Sequence, residues 1–221
     1  MLDTADLAAI QHCNEFYPLA GVTTNPSIIA KAKTDFWPLL KKIRDIIGPD
    51  KMIHVQTTQQ KADDIVKEAQ LLASKIGGKF YVKIPIGEEG LKATMMLKKL
   101  GIEVTMTAIF TSEQALMAAL AGASYVAPYV NRLDNILGDG CDVVAEIVSR
   151  IETYGLDCKV LAASFKTAEQ VHKCAACGCH SVTVSADIMK LLITHPMTDA
   201  AIAGFEKDWE SVYGNKTILD F

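Results

Sequence analysis

Lys83 lies in the run Phe80-Tyr81-Val82-Lys83-Ile84-Pro85, which is otherwise almost wholly apolar. That setting suggests a reactive amine. Side chains alternate along a strand, so Phe80, Val82 and Ile84 share one face and Tyr81 and Lys83 the other. With the apolar face packed on helices, Lys83 points inward. A free lysine has a pKa of ~10.4 and is almost entirely an ammonium at neutral pH. Apolar surroundings penalise that charge and favour the amine. A neutral amine can attack a ketone and form an iminium. The iminium draws electrons toward itself, so the C–C bond beyond the next carbon can break without a free carbanion. The competing use of such a lysine is a structural ion pair with an inward acid such as Asp3.

Chemistry of this kind needs a rigid frame, and the chain has the pattern of one. Strands are expected at Met1-Leu2, Ala20–Thr24, Met52–Gln56, Phe80–Ile84, Val104–Ala108, Tyr125–Val130, Lys159–Ala163 and Ser181–Val184, with helices between them. Helices are expected to stop at Gly48, Gly77, Gly101, Gly122, Gly155 and Gly178. Each glycine lies a few residues before the next strand, as left-handed helix caps do. The intervals, about 21 to 33 residues, fit one βα unit each. Thr111-Ser-Glu-Gln114 and Thr167-Ala-Glu-Gln170 read as capping boxes. Pro38 suits the first turn of a helix.

Eight such units predict an α/β fold: a single (β/α)8 TIM barrel over residues 1–197. An open doubly wound sheet is the competitor, but no Gly-x-Gly-x-x-Gly follows the first strand. A ninth helix, about Thr198 to Gly214, carries Ile202, Phe205, Trp209 and Val212 at helical spacing. The barrel closes without it. Residues 198–221 are therefore expected either to fold back on their own subunit or to dock on a neighbour.

In such a barrel the site lies at the C-terminal rim. The residues at the strand ends are Asp3, Asn25, Gln56, Lys83, Thr107, Tyr129 with Arg132, Ser164 and Ser185. Nearly all are polar, although the strands leading to them are apolar. Arg132, and Ser164 in the turn Ser164-Phe-Lys-Thr167, suit a phosphate. Barrels often bind one after the seventh and eighth strands, at the positive end of a helix, and arginine supplies a planar donor fork. A rim salt bridge is the alternative for Arg132.

The formal charge of −4 supplies no broad cationic field for nucleic acid or an anionic membrane. The longest apolar stretch, Ala115 to Val130, is broken by Gly122, Ser124 and Pro128, short of the ~18–20 residues of a membrane span. Six cysteines without a visible secretory signal point to reduced thiols in the cytoplasm. Cys174-Ala-Ala-Cys177-Gly-Cys179-His180 has metal-like spacing, but it falls at a helix end facing away from the rim. Packing cysteines are expected there and no metal. His54 sits one layer beneath Gln56 and is expected to be a hydrogen-bonded core histidine, not a ligand. Met95 and Met96 sit at helical core spacing.

The segments Leu-Asp-Thr-Ala at 2–5, GVTTNPSIIAK at 21–31, YVKIP at 81–85, ALAGASYVAPYVNRLD at 119–134 and KVLAASFKT at 159–167 resemble the transaldolase family, specifically its short branch of fructose-6-phosphate aldolases. The terminal helix with Phe205 and Trp209 matches as well. The resemblance implies that Lys83 forms a Schiff base with a ketose, and that Asp3 and Asn25 hold substrate hydroxyls. It further implies that Thr107 helps position a water, and that Arg132 and Ser164 take the phosphate of a sugar-phosphate substrate. It implies no metal and no organic cofactor. Short members form homo-oligomers, rings of five that pair into decamers, with the last helix crossing to a neighbour. Standard transaldolases carry a glutamate where this chain has Gln56. An amide cannot ionise, so Gln56 can only orient a water, and Tyr129 becomes the expected proton donor and acceptor. That combination favours reversible cleavage of fructose 6-phosphate to dihydroxyacetone and glyceraldehyde 3-phosphate. The alternative is transfer of a dihydroxyacetone unit between sugar phosphates such as sedoheptulose 7-phosphate and glyceraldehyde 3-phosphate. A non-catalytic sugar-phosphate binding protein is the rival from outside enzymology.

Overall fold

A computed structural model describes all 221 residues. Its eight strands are β1 Leu2–Asp3, β2 Gly21–Thr23, β3 Met52–Gln56, β4 Phe80–Pro85, β5 Val104–Ile109, β6 Tyr125–Pro128, β7 Lys159–Ala162 and β8 Ser181–Val182. They are all parallel and neighbour one another in chain order. The cylinder closes where Asp3 N–H donates to the Val184 carbonyl at 2.8 Å and Val184 N–H to the Met1 carbonyl at 3.1 Å. The expected (β/α)8 barrel is the observed one.

The helices are α1 Leu7–Phe16, α2 Pro26–Lys31, α3 Phe36–Ile47, α4 Ala62–Ile76, α5 Glu88–Lys99, α6 Ser112–Leu120, α7 Val130–Asp134, α8 Gly140–Thr153, α9 Ala168–Ala176, α10 Ala186–Leu191 and α11 Pro196–Tyr213. The six punctuating glycines all have positive φ, from 58° at Gly155 to 94° at Gly122, a conformation costly for a residue with a Cβ. Both capping boxes form, and Pro38 lies in the first turn of α3. Two short helices, α2 and α7, add to the expected set. The second ends β6 at Pro128, two residues before the expected Val130, because the chain turns at Tyr129 into α7. Met95 also departs from its expected core place and is 49% exposed, whereas its neighbour Met96 packs on the core.

Alternation along the strands divides the apolar interior in two. Phe80, Val82 and Ile84 join a cluster of 44 buried residues between the strands and the helices. Tyr81 faces the other way, against a small plug of Met1, Tyr125 and Leu161 inside the cylinder, which Met52 also covers. Lys83 shares the inward face with Tyr81, as expected.

Helix α11 stands apart. It has no buried residue, and Ile202, Phe205 and Val212 are half or more exposed. Trp209 turns toward the tail, stacking near Tyr213 and Phe221 and donating its indole N–H to the Lys216 carbonyl at 2.6 Å. No helix of the chain is long and apolar enough to cross a membrane.

Candidate active site

Lys83 is 3% exposed. Its ammonium takes part in none of the ion pairs of the chain, so the structural pair with Asp3 is not formed. Burial lowers the Lys83 pKa from its ordinary value, and the more distant Asp3 charge opposes that shift. The amine thus feels the charge of a carboxylate without being paired to it.

Asp3 is fixed from the adjacent strand. Thr23 Oγ1 donates to its carboxylate at 2.6 Å, and Thr23 Oγ1 lies 2.7 Å from Thr183 Oγ1. The two buried threonines therefore form a short hydroxyl chain ending on Asp3. Gln56 is the register partner of Lys83 on β3 and stays partly exposed at the rim.

Across the barrel, Thr107 Oγ1 donates to the Tyr129 hydroxyl at 3.2 Å. The Tyr129 ring is held edge-on by Phe110 at 5.6 Å, and the Arg132 guanidinium stands over its face at 4.7 Å from the centroid. Two strained residues place this corner. Ala108 has φ 57° where the β5–β6 register shifts between Thr107 and Ile109. That bulge leaves Thr107 facing the axis while Ile109 joins the outer core. Ser164 has φ 64°, and its carbonyl accepts from Asn131 N–H at 2.8 Å, tying the end of β7 to α7 and so to Arg132. Left-handed conformations in residues other than glycine cost energy and cluster at functional sites.

Two further rim residues have structural duties as well. Asn25 caps α2, its Oδ1 accepting from Ile28 N–H at 2.9 Å, which leaves its amide N–H groups free to donate. Ser185 caps α10 through a 3.4 Å bond from Ile188 N–H, which leaves its O–H free to donate. An open cleft of about 610 Å³ adjoins the rim between the β1–α1 turn and α2, and it meets the site at Asp3.

His54 is fully buried and its Nδ1 lies 2.8 Å from Thr105 Oγ1. Its Nε2 has no partner, which the sequence does not foretell. The cysteines pack as expected. Cys174 is buried in the outer core, its Sγ 3.7 Å from Cys141 Sγ. Burial raises the thiol pKa values, that of Cys158 to about 12. No group of three His, Cys, Asp or Glu side chains is arranged to hold a metal ion. Thr23, Thr105 and Thr183 are residues that sequence reasoning missed. The period of two back from Asn25 and Thr107, and from Ser185, marks all three as inward-facing.

The sequence profile described as Transaldolase/Fructose-6-phosphate aldolase matches residues 1–216. The chain belongs to this transaldolase/fructose-6-phosphate aldolase family. Among solved structures it is similar to one described as native KDPGal, at 17% identity and TM-score 0.58, covering 84% of this chain and 81% of that one. It is also similar to a mutant mandelate oxidase with a monooxide FMN adduct, at 14% identity and TM-score 0.57, covering 83% of this chain and 60% of that one. Our chain thus spans three fifths of the mandelate oxidase length. At such identities these likenesses speak for the barrel alone. The family is one of transaldolases and aldolases.

Proposed function

We propose that the enzyme reversibly cleaves fructose 6-phosphate to dihydroxyacetone and glyceraldehyde 3-phosphate through an iminium at Lys83. The observation that carries this reading is a buried, unpaired lysine at the rim, in a family of aldolases and transaldolases. The neutral amine adds to the C2 carbonyl, and loss of water gives the iminium. The C4 hydroxyl proton leaves to a base, the C3–C4 electrons flow into the iminium, and glyceraldehyde 3-phosphate departs. The enamine left behind takes a proton at C3, and water releases dihydroxyacetone. Tyr129, bonded to Thr107, is the proton carrier, and Gln56 orients the water. Asp3 and Asn25 hold sugar hydroxyls. Arg132 and Ser164 take the phosphate, and Ser185 is a further substrate contact. No cofactor enters this scheme.

Fructose 6-phosphate supplied alone and with erythrose 4-phosphate tests the reaction. Free dihydroxyacetone without acceptor is the expected result. Product formed only in the presence of acceptor makes the enzyme a transaldolase instead. Gln56→Glu adds an ionisable group beside the water and is expected to raise transfer relative to cleavage about 10²-fold, the lower end of what one positioned acid–base group contributes. The product ratio at equal substrate reads it.

We also propose a homo-oligomer, a pentamer or decamer, in which α11 lies on a neighbouring copy. Exposed Ile202, Phe205 and Val212 support this, since a soluble monomer seldom leaves such a row uncovered. Removing residues 196–221 is expected to reduce the assembly to single chains in sedimentation. An unchanged mass would rule the helix out as the joint. Six free cysteines accord with a reducing, cytoplasmic setting. We propose no nucleic-acid or membrane partner.

A further inference from the structure

Asp3 lines the cleft that opens on the rim, and its charge acts on Lys83. Its carboxylate receives one hydrogen bond within the chain, from Thr23 Oγ1 to Oδ1 at 2.6 Å. Oδ2 therefore keeps its acceptor capacity. The polarity of the hydroxyl chain behind Asp3 follows from the number of protons. An ionised carboxylate only accepts, and a hydroxyl has one proton to give. Thr23 gives its proton to Asp3. In its 2.7 Å contact with Thr183 Oγ1 it can then only accept, so Thr183 is the donor. The order is Thr183 to Thr23 to Asp3.

Both threonines are buried, and they reach inward from the strands on either side of β1. Thr23 is the register partner of Asp3 on β2. Thr183 follows β8, where its N–H donates to the Ala162 carbonyl at 2.9 Å. It stands one residue before Val184, whose backbone closes the barrel onto Met1 and Asp3. Valine at both positions would fill the same space without burying a hydroxyl, which is costly unless the hydroxyl is bonded. Two hydroxyls aligned on a carboxylate polarise each other and strengthen the last bond.

We infer that Thr183, acting through Thr23, is a positioning residue for Asp3. The relay ties down Oδ1 and fixes the direction in which Oδ2 accepts a hydroxyl of the bound ketose. This consequence rests on the reading of Lys83 as the nucleophile and of Asp3 as a holder of sugar hydroxyls. The polarity of the relay rests on neither.

Borohydride trapping at Lys83 with two ketones separates positioning from packing. Dihydroxyacetone presents hydroxyls to Asp3, and acetone is the same ketone without them. Damage to the barrel wall slows both alike, whereas loss of the relay slows the first. Thr23→Val should lower the ratio of the two trapping rates about tenfold, near the lower end for a hydrogen bond to a charged group. Thr183→Val should lower it about threefold, as for a neutral hydrogen bond. Thr23→Ser and Thr183→Ser keep the hydroxyl and should restore the ratio. Because Thr183 acts only through Thr23, combining Thr23→Val with Thr183→Val should lower the ratio no further than Thr23→Val alone. A wild-type ratio in Thr183→Val, an equal slowing with both ketones, or a combined variant that multiplies the two losses overturns the inference. If Thr23→Val does not fold, Thr183→Val and Thr183→Ser carry the test.

The carbon-13 resonance of the Asp3 carboxyl group, assigned by its loss in Asp3→Asn, tests the relay without any chemistry. It should move in Thr183→Val, although Thr183 makes no hydrogen bond to Asp3, and return in Thr183→Ser. An unmoved resonance also overturns the inference. A wild-type protein that gives no adduct with either ketone sinks the Lys83 reading instead, and the resonance then decides the relay by itself.

Discussion

Lys83→Met is expected to lower turnover of fructose 6-phosphate by at least about 10³-fold, in line with the loss of other covalent nucleophiles. It should abolish the borohydride-trapped adduct. The same change should make the protein more stable. Methionine follows nearly the path of the lysine stem, and it removes a charge that the barrel wall penalises. The pH dependence gives the effect a signature. The folded-state pKa of Lys83 is lowered by burial, while the unfolded chain has the ordinary value of ~10.4. Between those two values the unfolded chain binds the extra proton, so wild-type stability rises with pH in that window. Below the window the burial penalty is present in full. The stability gain of Lys83→Met should therefore be larger at neutral pH, a few degrees in Tm, and should shrink as pH approaches ~10. Melting curves at both pH values check it. A variant that turns over normally, or whose Tm falls at neutral pH, contradicts the assignment of Lys83.

Tyr129→Phe is the second large effect, with an expected fall in kcat of about 10²–10³-fold, the usual contribution of a positioned acid–base group. The ring itself should stay in place, because Phe110 and Arg132 hold its faces and edge and the substitution keeps them. Only the bond from Thr107 is lost, so stability should change by no more than about 1 kcal/mol. The Schiff base should still form, since the phenol serves the later proton transfers. The diagnostic pattern is thus a trapped Lys83 adduct at near-normal yield alongside poor turnover. Turnover within about threefold of wild type would assign the proton transfer to another group.

Most of the scaffold is legible in the sequence because its signals are local. A glycine with positive φ closes a helix whatever the rest of the chain does, and the threonine–glutamine boxes at 111–114 and 167–170 satisfy their own backbone groups. The inward aim of Lys83 follows from a period of two. What escapes is set by contacts between distant segments. Helix α7 begins at Val130 because Val130 N–H donates to the Ala163 carbonyl at 3.0 Å, across a strand that sequence proximity does not reveal. The hydroxyl chain from Thr183 through Thr23 to Asp3 joins the end of β8 to β2 and β1; the period of two marks its threonines as inward-facing, but their meeting depends on closure of the barrel. The cation over Tyr129 likewise depends on how one turn of α7 folds.

The unequal halves of the apolar interior bear on how readily such an enzyme could acquire new preferences. Nearly all the burial that holds the chain together lies outside the cylinder, in 44 residues, while the inner plug has three. Substitutions at Met1, Met52, Tyr125 or Leu161 would recut the base of the reaction chamber while drawing on a small share of the folding energy. Adaptation there is cheap, and the barrel wall stays out of it.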